Sequence, residues 1–394
     1  MMSKSQSALA VSQPDLPLPP FDFTPLNRLV FGAGALARLG ELARELGGQR
    51  VLLVTDPGLE RAGHPQQAQT FLSDAGIEVF VFDEVKENPT NGNVVAGCRF
   101  ARECRIDLIV AVGGGSSMDC AKGINFLLTN GGKMSDYVGF GKATKPMLPS
   151  IGVPTTAGTG SEAQSYALIT DDSSRLKMAC GDKKAAFRIA LLDPELTVSQ
   201  PRAVAAVTGI DALAHAVESY VCTRRNPIAQ LFARQAYNLL EPNLRTVLDQ
   251  PDNVDARAAV QLGAHFAGVA IENAMLGACH SCANPLTAHY GVTHGTAVGL
   301  LLPHVVRFNG PAVNHLYAEL LEGRANGEPA AETLADRIID LAAFSGQPLR
   351  LRDCGVSKGI LHLLAEEARG QWTANFNPRP VTEEDLLRVY EAAW

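Results

Sequence analysis

The chain has 394 residues, enough for about two domains. Its net charge of −7, with no clustered cations, argues against a nucleic-acid partner, and no apolar run approaches the roughly 20 residues of a membrane helix. Its eight cysteines are scattered, unlike the framework of a disulfide-stapled secreted domain; they read as buried thiols of a reducing compartment, so the cytoplasm is the expected location.

Residues 1–22 hold one Lys, four prolines (Pro14, Pro17, Pro19, Pro20) and no sustained apolar core, so a disordered lead-in is expected, neither signal peptide nor spanning helix. Leu29-Val30-Phe31 then reads as a short strand entering the turn Gly32-Ala-Gly34, followed by a helix over 35–46. No third glycine falls at dinucleotide-fingerprint spacing, so this turn is read as structural. Val51–Val54 is an apolar strand ended by Thr55-Asp56-Pro57-Gly58. A helix over 66–74, a strand over 77–82, a loop at Asn88-Pro89-Thr90, a helix over 91–104 and a strand over 106–112 follow. This alternation predicts an α/β domain with a parallel sheet covered on both faces.

The strand over 106–112 runs into Gly113-Gly114-Gly115-Ser116-Ser117-Met118-Asp119. Three glycines let backbone approach a ligand, and the helix that follows offers free N–H groups to an anion such as a diphosphate. Ser116 with Asp119 reads as a capping-box pair; a tight turn before a well-capped helix is the structural alternative. After a strand over 147–153, the loop from Pro154 to Glu162 carries Thr155, Thr156, Thr159 and Ser161, hydroxyls suited to a phosphate, ribose or amide. Asp56 stands at a strand's carboxyl end, where it could accept from both ribose hydroxyls and repel a 2′-phosphate. A dinucleotide site beyond the strand ends accounts for all three features.

Past Leu191-Leu192-Asp193-Pro194 the texture turns to Ala/Leu/Glu/Arg-rich segments, which sets a boundary near residue 200: an α/β domain over 23–200 and an all-helical domain over 201–394. Asp211 and His215 lie four apart in a helical pattern and share a face. A helix is expected over 256–282, stopped by Asn284-Pro285, with a new one opening at Thr293-His294-Gly295. His280 and His294 could then converge with Asp211 and His215 on one divalent metal, Fe(II) or Zn(II). An ordinary carboxylate–imidazole pair is the alternative for the first two. Cys279-x-x-Cys282 has no second cysteine pair beside it and reads as packing. His64, His265, His304, His315 and His362 have no partner at ligand spacing.

These residues together resemble the iron-containing (group III) alcohol dehydrogenases, near their lactaldehyde reductase (propanediol oxidoreductase) members. The segments that carry the resemblance are Gly113–Lys122, Pro154–Glu162, Gly209–Glu218, and His280 with Thr293-His294-Gly295 through His304, and it covers residues 23–394. It implies a cofactor in the cleft between two domains and a metal below the nicotinamide, held by Asp211, His215, His280 and His294. It also implies NAD(H) contacts from Asp56, Asn88, Gly113, Gly114, Gly115, Ser116, Asp119, Thr155, Thr156, Thr159, Ser161 and Lys177. A homodimer is implied through an N-terminal strand, here residues 27–31.

The sequence departs from many relatives four residues after His280, where they carry a histidine near the substrate and this chain has Asn284, which cannot titrate near neutral pH. Asn284 is therefore a candidate substrate contact and His289 a candidate substitute relay; a histidine without catalytic role is the alternative. The expected chemistry is reversible hydride transfer between NAD(H) and a small primary alcohol or aldehyde. A dehydroquinate synthase-like lyase and a non-catalytic metal- and nucleotide-binding protein are the competing readings.

Overall fold

The computed structural model describes residues 20–173, 176–322 and 327–394; most of the expected lead-in lies outside them. The first part contains, in order, β1 (Arg28–Phe31), α1 (Leu39–Glu45), β2 (Arg50–Val54), α2 (Pro57–Ala62), α3 (His64–Asp74), β3 (Glu78–Phe82), α4 (Asn91–Glu103) and β4 (Leu108–Gly113). It continues with α5 (Gly115–Asn130), β5 (Gly139–Phe140), β6 (Ser150–Pro154), β7 (Tyr166–Thr170), β8 (Lys177–Gly181) and β9 (Ile189–Leu192). Six strands form a sheet in the order β1-β9-β6-β4-β2-β3, every neighbouring pair parallel.

The apolar runs become strands because both faces of this sheet are covered. Val51 and Leu53 enter one apolar layer and Leu52 and Val54 the other, all of them fully buried. Alternation between two dry layers leaves no polar face, hence the unbroken hydrophobic sequence. A second sheet, β5-β8-β7, adds an antiparallel β7–β8 pair that the sequence reading did not contain.

Among the described residues, only helices follow: α6 (Arg202–Val221), α7 (Pro227–Asp249), α8 (Val254–Asn273), α9 (Ala278–Tyr290), α10 (His294–Leu321), α11 (Ala330–Phe344), α12 (Leu361–Gly370) and α13 (Glu383–Ala393), with short 3-10 turns between some of them. α6 is central, packed on α7, α8 and α10, and from Gly209 to its end every residue is buried. No described helix is long and apolar enough to cross a membrane.

The single helix expected over 256–282 is two. The chain breaks between Asn273 and Ala278, and the freed N–H groups of Ala278 and Cys279 donate to Asn377 Oδ1 (3.2 Å) and Glu218 Oε1 (2.7 Å). In a continuous helix those amides would bond to carbonyls one turn back. Pro285, expected to end a helix, instead lies inside α9, which runs on to Gly291 in the left-handed region (φ 62°). The expected capping box is also absent: Gly114 caps α5 with no side-chain bond, and Asp119 lies in the helix's second turn, facing inward.

Candidate active site

Three helices meet at Asp211. His215 follows it by one turn on α6, His280 lies in the first turn of α9, and His294 opens α10. α10 can begin this close to α6 because its second residue is glycine: a Cβ on Gly295 would stand 2.2 Å from the Val207 carbonyl oxygen. His215 Nε2 and His280 Nε2 each lie 3.4 Å from Asp211 Oδ1, and His294 Nε2 lies 3.8 Å away at the more open rim. Ligand atoms of Asp211, His215 and His280 all fall within 4.8 Å of one another.

Asp211 Oδ1 and His280 Nε2 are buried without a hydrogen-bond partner, costly for polar atoms unless a cation joins them. Bonds of about 2.1 Å in tetrahedral array put ligand atoms roughly 3.4 Å apart, close to the spacings found. The donor set and its geometry fit one divalent ion.

Electrostatics prepares the same set. Burial pushes His215 down to about 4 and His294 down to about 3, against the pull of Asp211, so both offer lone pairs at neutral pH. Burial would raise Asp211, but the surrounding imidazoles of His215, His280 and His294 outweigh it and hold the carboxyl well below its usual range. Burial also disfavours charge on His280, yet Glu218 and Asp211 carry it up to about 9. Glu218 Oε2 lies 2.5 Å from His280 Nδ1, which leaves Nε2 for the centre. No role for Glu218 follows from pairwise spacing alone. Its signal is the stripe Asp211, His215, Glu218 at i, i+4 and i+7 on one face.

Loops beyond the strand ends carry the other residues expected around the cofactor cleft. Asp56 follows β2, where Oδ1 accepts from Gly58 N (2.9 Å) and Leu59 N (3.2 Å) as the α2 cap, while Ser117 Oγ reaches Oδ2 at 3.5 Å. Asn88, in the left-handed region, donates its N–H to Ser116 Oγ at 3.2 Å. The glycine turn and the threonine loop are packed together: Thr155 N–H donates to Gly113 O (3.0 Å), and a Cβ on Gly115 would meet Thr159 at 2.8 Å. Thr156 lies against Gly114, and Thr155 Oγ1 is buried without a partner.

Asp119 and Ser161 are committed to each other rather than open to a ligand: Ser161 Oγ donates to Asp119 Oδ1 at 2.7 Å, beside the buried Lys122. Burial lowers the Lys122 ammonium and raises Asp119, each opposed by the other's charge. Lys177 on β8 is open to solvent, in the fields of Asp119, Asp211 and Glu87, with crowding by protein lowering its ammonium. The cleft and the metal centre adjoin. The Gly158 carbonyl acts on His215, and Gly158 packs on Thr208, less than a turn before Asp211 on α6.

The chain matches proteins of known family. Residues 26–194 match the iron-containing alcohol dehydrogenase model, and residues 205–394 match the Fe-containing alcohol dehydrogenase family C-terminal model. This chain belongs to the iron-containing alcohol dehydrogenase family. A 1,3-propanediol dehydrogenase of Citrobacter freundii is 36% identical over 95% of this chain and 99% of its own. An NAD-dependent methanol dehydrogenase of Bacillus methanolicus is 33% identical over 92% and 97%. A crystal structure of a 1,3-propanediol oxidoreductase superposes with a TM-score of 0.92 at 36% identity, covering 95% of this chain and all of the other.

Within this iron-containing dehydrogenase fold the candidate relay His289 and the candidate substrate contact Asn284 part company. His289 is turned away from the centre. It lies nine residues after His280 on α9, half a turn around and about 13 Å along the axis, and its Nε2 meets both Glu367 carboxylate oxygens at 2.9 Å near the surface. Asn284, four residues after His280, keeps the His280 face and donates to Gln371 Oε1 at 3.1 Å. Cys279 and Cys282 are fully buried thiols pushed upward by burial, packed as expected. His265, expected to have no metal-ligand role, pairs with buried Glu162 at 3.0 Å and ties α8 to the threonine loop.

Proposed function

We propose that the chain is an NAD(H)-dependent alcohol dehydrogenase and aldehyde reductase for a small primary alcohol. One divalent ion per chain, Fe(II) before Zn(II), would be held by Asp211, His215, His280 and His294. The observation that carries this reading is the partnerless buried Asp211 Oδ1 among three imidazole nitrogens, beside a glycine turn at strand ends. The chemistry supplied at this site would be polarisation of the substrate oxygen by a bound ion and hydride exchange with a bound dinucleotide.

The chain's own residues supply position and exclusion. The glycine turn and the uncapped start of α5 would receive the diphosphate, with Ser116, Thr155, Thr156 and Thr159 around it. Asp56 Oδ2, the carboxylate oxygen not used in capping, would accept from a ribose hydroxyl and repel a 2′-phosphate, favouring NAD over NADP. Lys177 would approach the dinucleotide from β8. Asp119 and Ser161 would shape the loop through their mutual bond rather than touch the cofactor. Asn284 would contact the substrate from the His280 face, and with no imidazole at that position proton exchange would pass through water or ribose hydroxyls. The lyase and non-catalytic alternatives have no observation of their own in their favour.

The same reading divides the chain near residue 200, between β9 and α6. It pairs two chains through β1, an edge strand on which Leu29 and Phe31 are exposed. Eight free cysteines suit the cytoplasm. The test is anaerobic reconstitution with Fe(II) or Zn(II), then NADH formation over a panel of primary alcohols and loss of NADH with aldehydes. Turnover abolished by chelation and restored by one ion per chain is expected. Turnover unaffected by chelation, or absent with every alcohol and both cofactors, would overturn the proposal.

A further inference from the structure

Glu218 is a buried carboxylate, and both of its oxygens are engaged by one short stretch of chain. Oε1 accepts from the Cys279 N–H at 2.7 Å, and Oε2 lies 2.5 Å from His280 Nδ1. Asn377 Oδ1 accepts from the neighbouring Ala278 N–H and is itself fixed by Asn309 Nδ2 at 3.1 Å. The first turn of α9, where His280 sits, is thus held by two side chains from outside the helix.

We infer that Glu218 is a positioning residue for the metal centre, fixing His280 in the tautomer that carries its proton on Nδ1 and thereby setting how long the metal is retained. This rests on the metal-centre reading proposed above. Only a group with two acceptors can serve both donors. A glutamine at 218 has one oxygen and one NH2, so either orientation sets a donor against a donor. His280 would lose its orienting partner or α9 would lose a cap. Partners that orient a metal-bound imidazole typically govern affinity by about 10- to 100-fold.

The experiment uses the full chain reconstituted with Zn(II), with dissociation followed by a chromophoric chelator and the ring nitrogens followed by NMR of 15N-histidine protein. For wild type the expected spectrum shows His280 metal-bound at Nε2 and protonated at Nδ1, a readout that needs no variant. Glu218→Gln should release Zn(II) about 10- to 100-fold faster. Asn377→Ala, which removes the other cap together with its bonds to Asn309 and the Arg379 carbonyl but leaves Glu218 in place, should lower Tm while leaving the His280 spectrum and the release rate close to wild type. A His280 bound through Nδ1 in wild type would overturn the inference, as would unchanged release from Glu218→Gln. Failure of wild type to take up the ion would instead overturn the metal-centre reading itself.

Discussion

Lys122 donates to Ser161 twice, to its carbonyl oxygen at 2.7 Å and to its hydroxyl at 2.8 Å, and a third bond runs to the Tyr166 carbonyl at 2.8 Å. With Asp119 accepting from the same hydroxyl, one buried ammonium ties α5 to the loop that closes the cleft. Lys122→Met would strand the Asp119 carboxyl in a dry site, a loss of about 3–5 kcal/mol, since an unpaired buried charge costs more than the pair returned. The double variant Lys122→Met/Asp119→Asn should recover part of this, and both should weaken dinucleotide binding. Urea unfolding of the three proteins checks it; equal stability of the single variant and wild type would contradict the assignment.

His280 fixes a pH dependence for metal uptake. In the metal-free protein it is raised to about 9, so at neutral pH the proton on Nε2 competes with the ion, while Glu218 keeps the one on Nδ1. Affinity should therefore rise with pH, about tenfold per unit between roughly pH 5 and pH 8, and level off above about 9. His215 and His294, held down to about 4 and about 3, are already neutral in that range and should steepen the dependence only in stronger acid. Competition titrations with Zn(II) at several pH values give the slope directly.

What could be read from the sequence was what is local in it. β2 and β4 declared themselves because burial on both faces leaves no polar position, and Asp211 with His215 because four residues close one helical turn. The failures came from contacts between distant segments. Pro285 reads as a helix stop in the sequence alone, which leaves His289 on an apparent link near the metal. Once 278–290 is one helix, nine residues put His289 on the face opposite His280. Asp119 resembled a cap because its partners, Lys122 apart, come from some forty residues away. Glu218 ends the segment that opens at Gly209, but its partners lie some sixty residues further on.

His289→Ala follows from that correction. The His289–Glu367 pair is about one-third exposed on both sides, so its loss should cost no more than about 1 kcal/mol. Turnover and its pH profile should be those of wild type, because the imidazole is directed away from the centre. A shifted basic or acidic limb in the pH–rate profile would restore His289 as a relay.

Asp56 caps α2 and, in the cofactor site proposed above, would also face the ribose; a pair of substitutions separates the two. Its Oδ1 caps α2, a bond that serine can replace and alanine cannot. Asp56→Ala should therefore lose about 1 kcal/mol of stability and Asp56→Ser little. The ribose-facing charge is removed by both, so both should raise the KM for NAD+ and relieve repulsion of a 2′-phosphate. At about 1 kcal/mol per unit charge pair 4 Å apart in water-like surroundings, and with about −1.5 to −2 charges on a 2′-phosphate, the NADP+/NAD+ ratio of kcat/KM should rise roughly ten- to thirtyfold in each. The decisive comparison is Asp56→Ser, folded as well as wild type. If its cofactor ratio is unchanged, the carboxylate serves α2 alone and the preference for NAD lies elsewhere in the cleft.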